Sequence, residues 1–351
     1  MQSAGKLIKT EKWWNDKAPP ALGIAYFLMA TSENDIPLGL GVATLVAFMT
    51  SFIGVAGFGH IINDLYDVDN DRTAGKHNTM DGRTSLQTAL IMLFLLALAW
   101  LPWFILPANP WNLSLLGLQL LLLSAYATPP LRLKVRAVPG VIVDALYAYT
   151  VPALITWTTF GHISGEPPPR PFLLATLIIW SLFPGLRGIL NHQCLDADND
   201  ARSGVTTFAT QYGRARTLRA LFCIVLPAEA VCFVTMTAAL SCYLPFYVVG
   251  VVIYFGWRIF QLLYLRDESL GVPWRLAPES TIRLYGYELL GEFYTKWFPL
   301  MMLAALSLRW PMYLALTMAH LAFFRNGLGD FFRYDLKYIP AGVAKMMKRD
   351  G

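Results

Sequence analysis

Hydrophobic residues along this chain come in long unbroken runs, not in the alternating or every-third patterns of soluble elements. Apolar stretches lie near residues 20–31, 38–62, 85–107, 111–128, 139–160, 171–194, 217–239, 242–264 and 293–324. The run over 89–106 (ALIMLFLLALAWLPWFIL) is long enough to cross roughly 30 Å of hydrocarbon as a helix. Inside lipid, every backbone N–H and C=O must be satisfied within its own segment, so such runs predict helices. The fold expected is all-α: a polytopic membrane helical bundle of about nine transmembrane helices. The first segment is short unless it extends through Pro19-Pro20, and Arg309-Trp310-Pro311 offers a break in the last.

Composition agrees. Of 351 residues, 56% are hydrophobic and only 15% charged, too little charge to cover a soluble surface. The opening stretch MQSAGKLIKTEKWWNDKAPP keeps its charges out to Lys17 and shows no cleavage site, so it reads as an interfacial segment and not a signal peptide. Trp13 and Trp14 beside Lys9, Lys12 and Lys17 suit the headgroup level. A net charge of +5 fits loops beside anionic membrane lipid and requires no nucleic acid. Cys194, Cys223, Cys232 and Cys242 form no CxxC pair and read as packing thiols.

Charge also sorts the loops. Basic loops over 6–17, 72–83, 132–136, 202–219 and 258–283 fall on one side by alternation, while Arg170 is the only Lys or Arg of the opposite loops. The positive-inside rule places the N-terminus and the basic loops in the cytoplasm. The tail (Arg325, Arg333, Lys337, Lys345, Lys348, Arg349) favours the same side, although a nine-span count sends it outside. The division expected is an interfacial N-terminus 1–18, transmembrane repeats 19–137 and 138–265, a cytoplasmic loop 266–290, last transmembrane segments 291–325 and a basic tail 326–351.

The two repeats are proposed from a duplication. Asp67-Val68-Asp69-Asn70-Asp71-Arg72-Thr73-Ala74-Gly75 recurs as Asp196-Ala197-Asp198-Asn199-Asp200-Ala201-Arg202-Ser203-Gly204, a constant 129 residues later. Each copy ends an apolar segment descending to the cytoplasmic side, so two four-helix units facing each other around a central cavity account for it. On a helix, Asp67 shares a face with Asp71 and with Asp64, and Asp196 shares one with Asp200. Carboxylates converging in a partly dry cavity repel unless a cation sits between them. Oxygen ligands select a hard ion, and Mg²⁺ is typically held by a few carboxylates plus substrate phosphates. The clusters could instead simply solvate helix ends, but an in-register recurrence weighs against that. An EF-hand is excluded, because its sixth-position Gly is replaced by Arg72 or Ala201 and its twelfth-position Glu by Asn78 or Thr207.

Asn63-Asp64-Leu65-Tyr66-Asp67-Val68-Asp69-Asn70-Asp71 resembles the NDxxDxxxD motif of the UbiA superfamily of intramembrane prenyltransferases. Asp196 through Thr207 resembles that family's second motif, DxxxD with a following Gly and Thr, and Tyr126-Ala127-Thr128-Pro129-Pro130-Leu131-Arg132-Leu133-Lys134 resembles its loop after the fourth span. The likeness covers roughly residues 20–265. It implies Mg²⁺-dependent ionisation of an isoprenyl diphosphate, with Asn63, Asp64, Asp67 and Asp71 serving one metal ion and Asp196 and Asp200 the other. It also implies that Tyr126, Arg132 and Lys134 meet the diphosphate. Many members that prenylate aromatic rings carry Arg-Pro-Leu soon after the first motif; here the chain reads Ala74-Gly75-Lys76-His77-Asn78, a departure that bears on the acceptor.

Further candidates come from chemistry. Lys76, Arg83, Arg132, Lys134 and Arg202 are cations that could neutralise a leaving diphosphate, with Arg83 and Arg202 better read as topology signals. Arg187, Asn191, His192 and Gln193 lie within a few turns of the second cluster; Arg187 either pairs with Asp144 or binds phosphate, and His192 reads as a packing residue. Tyr66, Tyr147, Tyr149, Trp157 and Trp180 are candidate walls for a cavity that shields a carbocation. Transfer of a prenyl group to an aromatic or other lipophilic acceptor ranks first. A membrane terpene cyclase using the same ionisation ranks second, and a carboxylate-lined transporter a distant third.

Overall fold

The computed structural model describes residues 2–165, 171–264 and 289–324, together with Pro340. Arg170, most of the 266–290 loop and the basic tail lie outside the described residues. Every apolar stretch is helical where described, and no strand occurs among the described residues. Among the described residues, five helices are long and apolar enough to cross a membrane: Leu38–Thr73, Ser85–Phe104, Ala137–Ile163, Pro171–Arg202 and Arg214–Ser241. Phe246–Phe260 and Pro311–Phe323 are apolar but shorter. The last segment does break where its sequence allows. Trp310 is extended (φ −131°, ψ 96°) ahead of Pro311, because a proline lacks the N–H a continuing helix needs and disfavours helical geometry in the residue before it.

Helix starts are written locally. Thr84 and Gln87 form a reciprocal capping box at the head of the Ser85–Trp100 helix, and Asn109 caps Asn112 ahead of the Pro110–Ala127 helix. Small residues then let helices approach closely. A Cβ on Gly54 would come within 2.4 Å of the Ala99 nitrogen, and Ser51 nearby donates to the Ala99 carbonyl at 2.7 Å. On the other motif helix, a Cβ on Gly185 would meet the Ala145 backbone at 2.7 Å.

The short first segment turns out to be the most enclosed. Its helix runs Trp14–Ala30 through Pro19 and Pro20, and Ala18 to Ala30 are all buried, packed against Val151–Ile163 and Phe298–Arg309. The stretch before it corrects the expectation of a headgroup-level tryptophan pair. Trp13 is 3% exposed, donates to the Ile8 carbonyl at 2.9 Å and packs on Phe52. Trp14 is half-buried, stacked on Phe324 at 5.3 Å. A left-handed turn at Lys9 (φ 51°) folds the N-terminus back so that its ammonium enters the bundle.

Candidate active site

The Leu38–Thr73 and Pro171–Arg202 helices carry the two acidic motifs at their C-terminal ends and stop in the same way. Asn70 and Asn199 carbonyls accept from residues 74 and 203, and Asp71 and Asp200 carbonyls accept from Lys76 and Val205 at 2.8 Å. Gly75 (φ 65°) and Gly204 (φ 67°) make the left-handed turn that closes each end, a conformation only glycine adopts cheaply. The duplication in sequence is therefore a duplication of local structure at the two motifs.

Helical periodicity decides which carboxylates face inward. Asp69 and Asp198, the middle residues of each DxDND, have side chains 94% and 80% exposed. Asp67 and Asp196, two residues earlier, are only 17% and 33% exposed. Asp71 and Asp200, one turn further on, are half-buried on the same faces.

Cations meet the inward carboxylates. Lys134 Nζ donates to Asp67 Oδ2 at 2.5 Å and to Asn63 Oδ1 at 2.9 Å, and Arg132 donates to Asp67 Oδ1 at 3.0 Å. Both come from the 128–136 loop, whose turn puts Arg132 at φ 37°. Burial holds the Lys134 ammonium below the ordinary lysine value, with Asp67 opposing that shift. Lys76 reaches from the first motif's loop to Asp196 of the second at 3.5 Å. His192 lies 3.9 Å from Asp196, exposed, and is a charge partner only when protonated. Asn191 is half-buried one residue earlier on the same helix. Arg83 and Arg202 satisfy carbonyls near their own positions on the exposed surface.

Other predicted residues take different partners. Asp64 is 2% exposed and fully engaged: Lys9 holds Oδ1 at 2.6 Å, while the Thr79 amide and hydroxyl hold Oδ2 at 3.2 and 2.7 Å. It anchors the loop after its own helix. Asn78 completes that anchor, donating to the Asp71 carboxylate at 2.8 Å and the Asp64 carbonyl at 2.9 Å. Arg187 pairs with Glu229 at 2.8 Å, not with Asp144, which instead accepts from the Tyr147 hydroxyl. Tyr147 packs edge-on against Tyr126 at 5.2 Å. Lys9, Asn78, Thr79 and Glu229 were not singled out from sequence. Only Asn78 carried a signal, standing seven residues after Asp71 as Thr207 stands seven after Asp200.

Among the candidate walls, Tyr149 and Trp180 line a cavity with Lys17, Ile24, Pro152 and Tyr294. The Lys17 ammonium sits 3.7 Å from the Tyr149 ring centroid. Trp157 is core at 1% exposure, and Tyr66 is exposed.

The donor set suits a hard divalent ion. The inward groups offer only oxygen, and protein cations already occupy the places where positive charge is needed. Among the described residues no three His, Cys, Asp or Glu side chains gather closely enough to enclose an ion unaided. Such a site needs ligands from elsewhere, which is the usual arrangement when Mg²⁺ arrives with substrate phosphates.

Known proteins resemble this chain as a whole. A UbiA homologue from Archaeoglobus fulgidus, solved with DMAPP and Mg²⁺, superimposes with a TM-score of 0.55 at 18% identity, covering 86% of this chain and 98% of that one. The same homologue with GPP and Mg²⁺ gives 0.54 at 18% identity over 86% and 99%. A structure described for digeranylgeranylglyceryl phosphate synthase gives 0.51 at 16% identity over 88% and 100%. At these identities the likeness is one of fold. No functionally curated protein matches the sequence. The sequence model of the UbiA prenyltransferase family matches residues 18–277, which takes in both acidic motifs and the loop between them, and the chain belongs to that family.

Proposed function

We propose that the chain is an integral-membrane prenyltransferase that uses Mg²⁺ to bind and ionise an isoprenyl diphosphate and passes the prenyl group to a lipophilic acceptor. The observation that carries this reading is Asp67 held between Lys134 at 2.5 Å and Arg132 at 3.0 Å. Lys76 links that cluster to Asp196, so two carboxylate faces and three cations share one end of the bundle. Family membership supports it, as do the bound DMAPP, GPP and Mg²⁺ of the Archaeoglobus homologue with the same fold.

In this reading Asn63, Asp67 and Asp71 hold one Mg²⁺ and Asp196 and Asp200 the other, while Asp64 keeps the loop in place. Bound Mg²⁺ neutralises the diphosphate so that it can leave as the allylic C–O bond breaks. Lys134, Arg132 and Lys76 exchange their carboxylate partners for phosphate oxygens. Negative charge on those oxygens grows as the bond lengthens, so fixed cations stabilise the transition state more than the ground state. In this reading the prenyl chain runs into the apolar bundle, where Tyr149, Trp180 and Tyr294, which line a small cavity, turn aromatic faces toward the developing cation.

A second reading is a membrane terpene cyclase, in which the chain's own alkenes attack the cation. The Ala74-Gly75-Lys76 sequence in place of Arg-Pro-Leu favours it. Purified protein with Mg²⁺ and farnesyl or geranylgeranyl diphosphate, without acceptor, separates the two by mass spectrometry of the organic extract. A cyclic product lost on adding EDTA makes it a cyclase. Consumption only when a lipophilic acceptor mixture is present makes it a transferase. Unchanged diphosphate in both arms sinks both readings.

A further inference from the structure

One carboxylate inside the bundle takes no part in ionisation. Asp144 stands seven residues after Ala137 on the Ala137–Ile163 span, about 10 Å along its axis. Its Oδ2 accepts from the Tyr147 hydroxyl, while its Oδ1 has no hydrogen-bond partner and is not sealed off by neighbouring atoms. The charged groups that face it are Lys17, from the Trp14–Ala30 helix, and His192, from the Pro171–Arg202 helix, and neither comes within ion-pair distance. A π-helical turn over Leu146–Thr150 follows directly, a distortion frequent at functional sites, and Gln119 meets its Tyr147 carbonyl at 2.9 Å. Tyr147 packs edge-on against Tyr126, and Tyr126 stands within electrostatic reach of Asp144, Asp67 and Asp200 alike. Asp144 is therefore one aromatic pair away from both acidic motifs.

A carboxylate at such depth is costly, and is ordinarily paired or placed at a working cavity. The other carboxylates inside the bundle already have partners. Asp64 is held by Lys9 and Thr79, Glu229 by Arg187 and Tyr294, and Glu292 by Arg258 and Lys296. Asp67, Asp71, Asp196 and Asp200 hold metal in the reading above. Among the described residues this leaves Asp144 as the bundle carboxylate with an open oxygen and no cation upon it. Ionisation leaves one task undone, the removal of a proton from the adduct, and a carboxylate is a competent acceptor for it.

Resting on the prenyl-diphosphate reading above, we propose that Asp144 is the base that ends the reaction, taking the proton released once the prenyl cation has been attacked. The allylic C–O bond breaks, and its electron pair leaves with the diphosphate. An electron pair of the acceptor then bonds the prenyl carbon, which leaves one positive charge on the adduct. Loss of a proton to Asp144 Oδ1 gives a neutral product and a neutral carboxyl, and that proton passes afterwards to the departing diphosphate or to water. In a cyclase the same step closes the reaction, with an alkene of the chain supplying the electron pair.

The test uses full-length protein in detergent with Mg²⁺ and geranylgeranyl diphosphate, with the acceptor mixture present or absent as wild-type turnover requires. Diphosphate release and the organic products are measured together. Asp144→Asn should lower the normal product about 100-fold, the scale of a lost general base. Diphosphate release should fall by no more than about threefold, with the difference appearing as prenyl alcohol formed by water capture. Calorimetry with Mg²⁺ and geranylgeranyl S-thiolodiphosphate, which does not react, should find wild-type affinity in that variant and so an intact site. If Asp144→Asn does not bind it, Asp144→Ser takes its place, since a serine hydroxyl removes the charge and still pairs with Tyr147. In a variant that binds, product and diphosphate release falling in parallel would overturn the inference, and so would an unchanged product. Failure of both variants to bind would make Asp144 a structural residue and overturn it too. A wild type that releases no diphosphate with Mg²⁺ under either condition removes the proposed function, and this inference with it.

Discussion

Lys76 Nζ lies 3.5 Å from Asp196 Oδ2, joining the loop of the first acidic motif to the helix of the second. Lys76 follows the Gly75 turn directly, so the left-handed backbone at Gly75 is what carries its side chain across. Its side chain is 40% exposed, so the contact itself adds little stability. We expect Lys76→Met to leave thermal unfolding unchanged and to raise KM for an isoprenyl diphosphate about tenfold, as loss of one charge-assisted phosphate contact should. An unchanged KM would remove Lys76 from the site.

The inward and outward carboxylates give a sharper test. Asp67→Asn and Asp196→Asn should each slow diphosphate release by about 100-fold or more, since each removes a charge that positions the leaving group. Asp69→Asn and Asp198→Asn, two residues away on the exposed faces, should stay within about twofold of wild type. Equal losses in all four would mean that total acidity matters and the helical face does not.

That face was legible in the sequence because i, i+4 spacing and an in-register repeat are local properties. The cations of the 128–136 loop were legible as candidates from their charge and from family resemblance, but nothing in their own spacing ties Lys134 to Asp67. Glu229 was overlooked: a lone carboxylate in an apolar run shows no partner 42 residues away. Without it, Arg187 was left to choose between Asp144 and a phosphate. The burial of Trp13 was hidden for a related reason. Trp beside Lys is the pattern of an interfacial anchor, and the long-range contacts that hold the stretch inside, Lys9 with Asp64 and Trp13 with Phe52, leave no local signal.

The Lys9–Asp64 pair should be structural. Both groups are largely buried, with side chains 15% and 3% exposed, and Asp64 also holds Thr79. Lys9→Met would strand the carboxylate. We expect a loss of about 3 kcal/mol in denaturant unfolding, the scale for breaking a buried pair. Lys9→Met with Asp64→Asn should recover most of it, because the amide oxygen can still accept from Thr79 and no charge is left unpaired. A double variant no better than the single would show that packing of Lys9, and not its charge, holds the N-terminus.

Metal removal should separate folding from activity. Asp67 is neutralised by Lys134 and Arg132, and Asp196 by Lys76, so stripping Mg²⁺ leaves neither carboxylate bare. In proteins whose metal ligands have no such substitutes, binding free energy is folding free energy and chelators unfold the chain. Here EDTA should abolish diphosphate release while moving the midpoint of thermal unfolding by no more than about 2 °C, a small change on the scale of domain stability. Mg²⁺ added back alone should stabilise little, because it must displace protein cations that have nowhere else to bind. Mg²⁺ with a non-hydrolysable prenyl diphosphate should raise the midpoint clearly, since the phosphates then take up Lys134, Arg132 and Lys76 as the carboxylates turn to the metal. Unfolding by EDTA alone would refute the idea that these three side chains stand in for the ion.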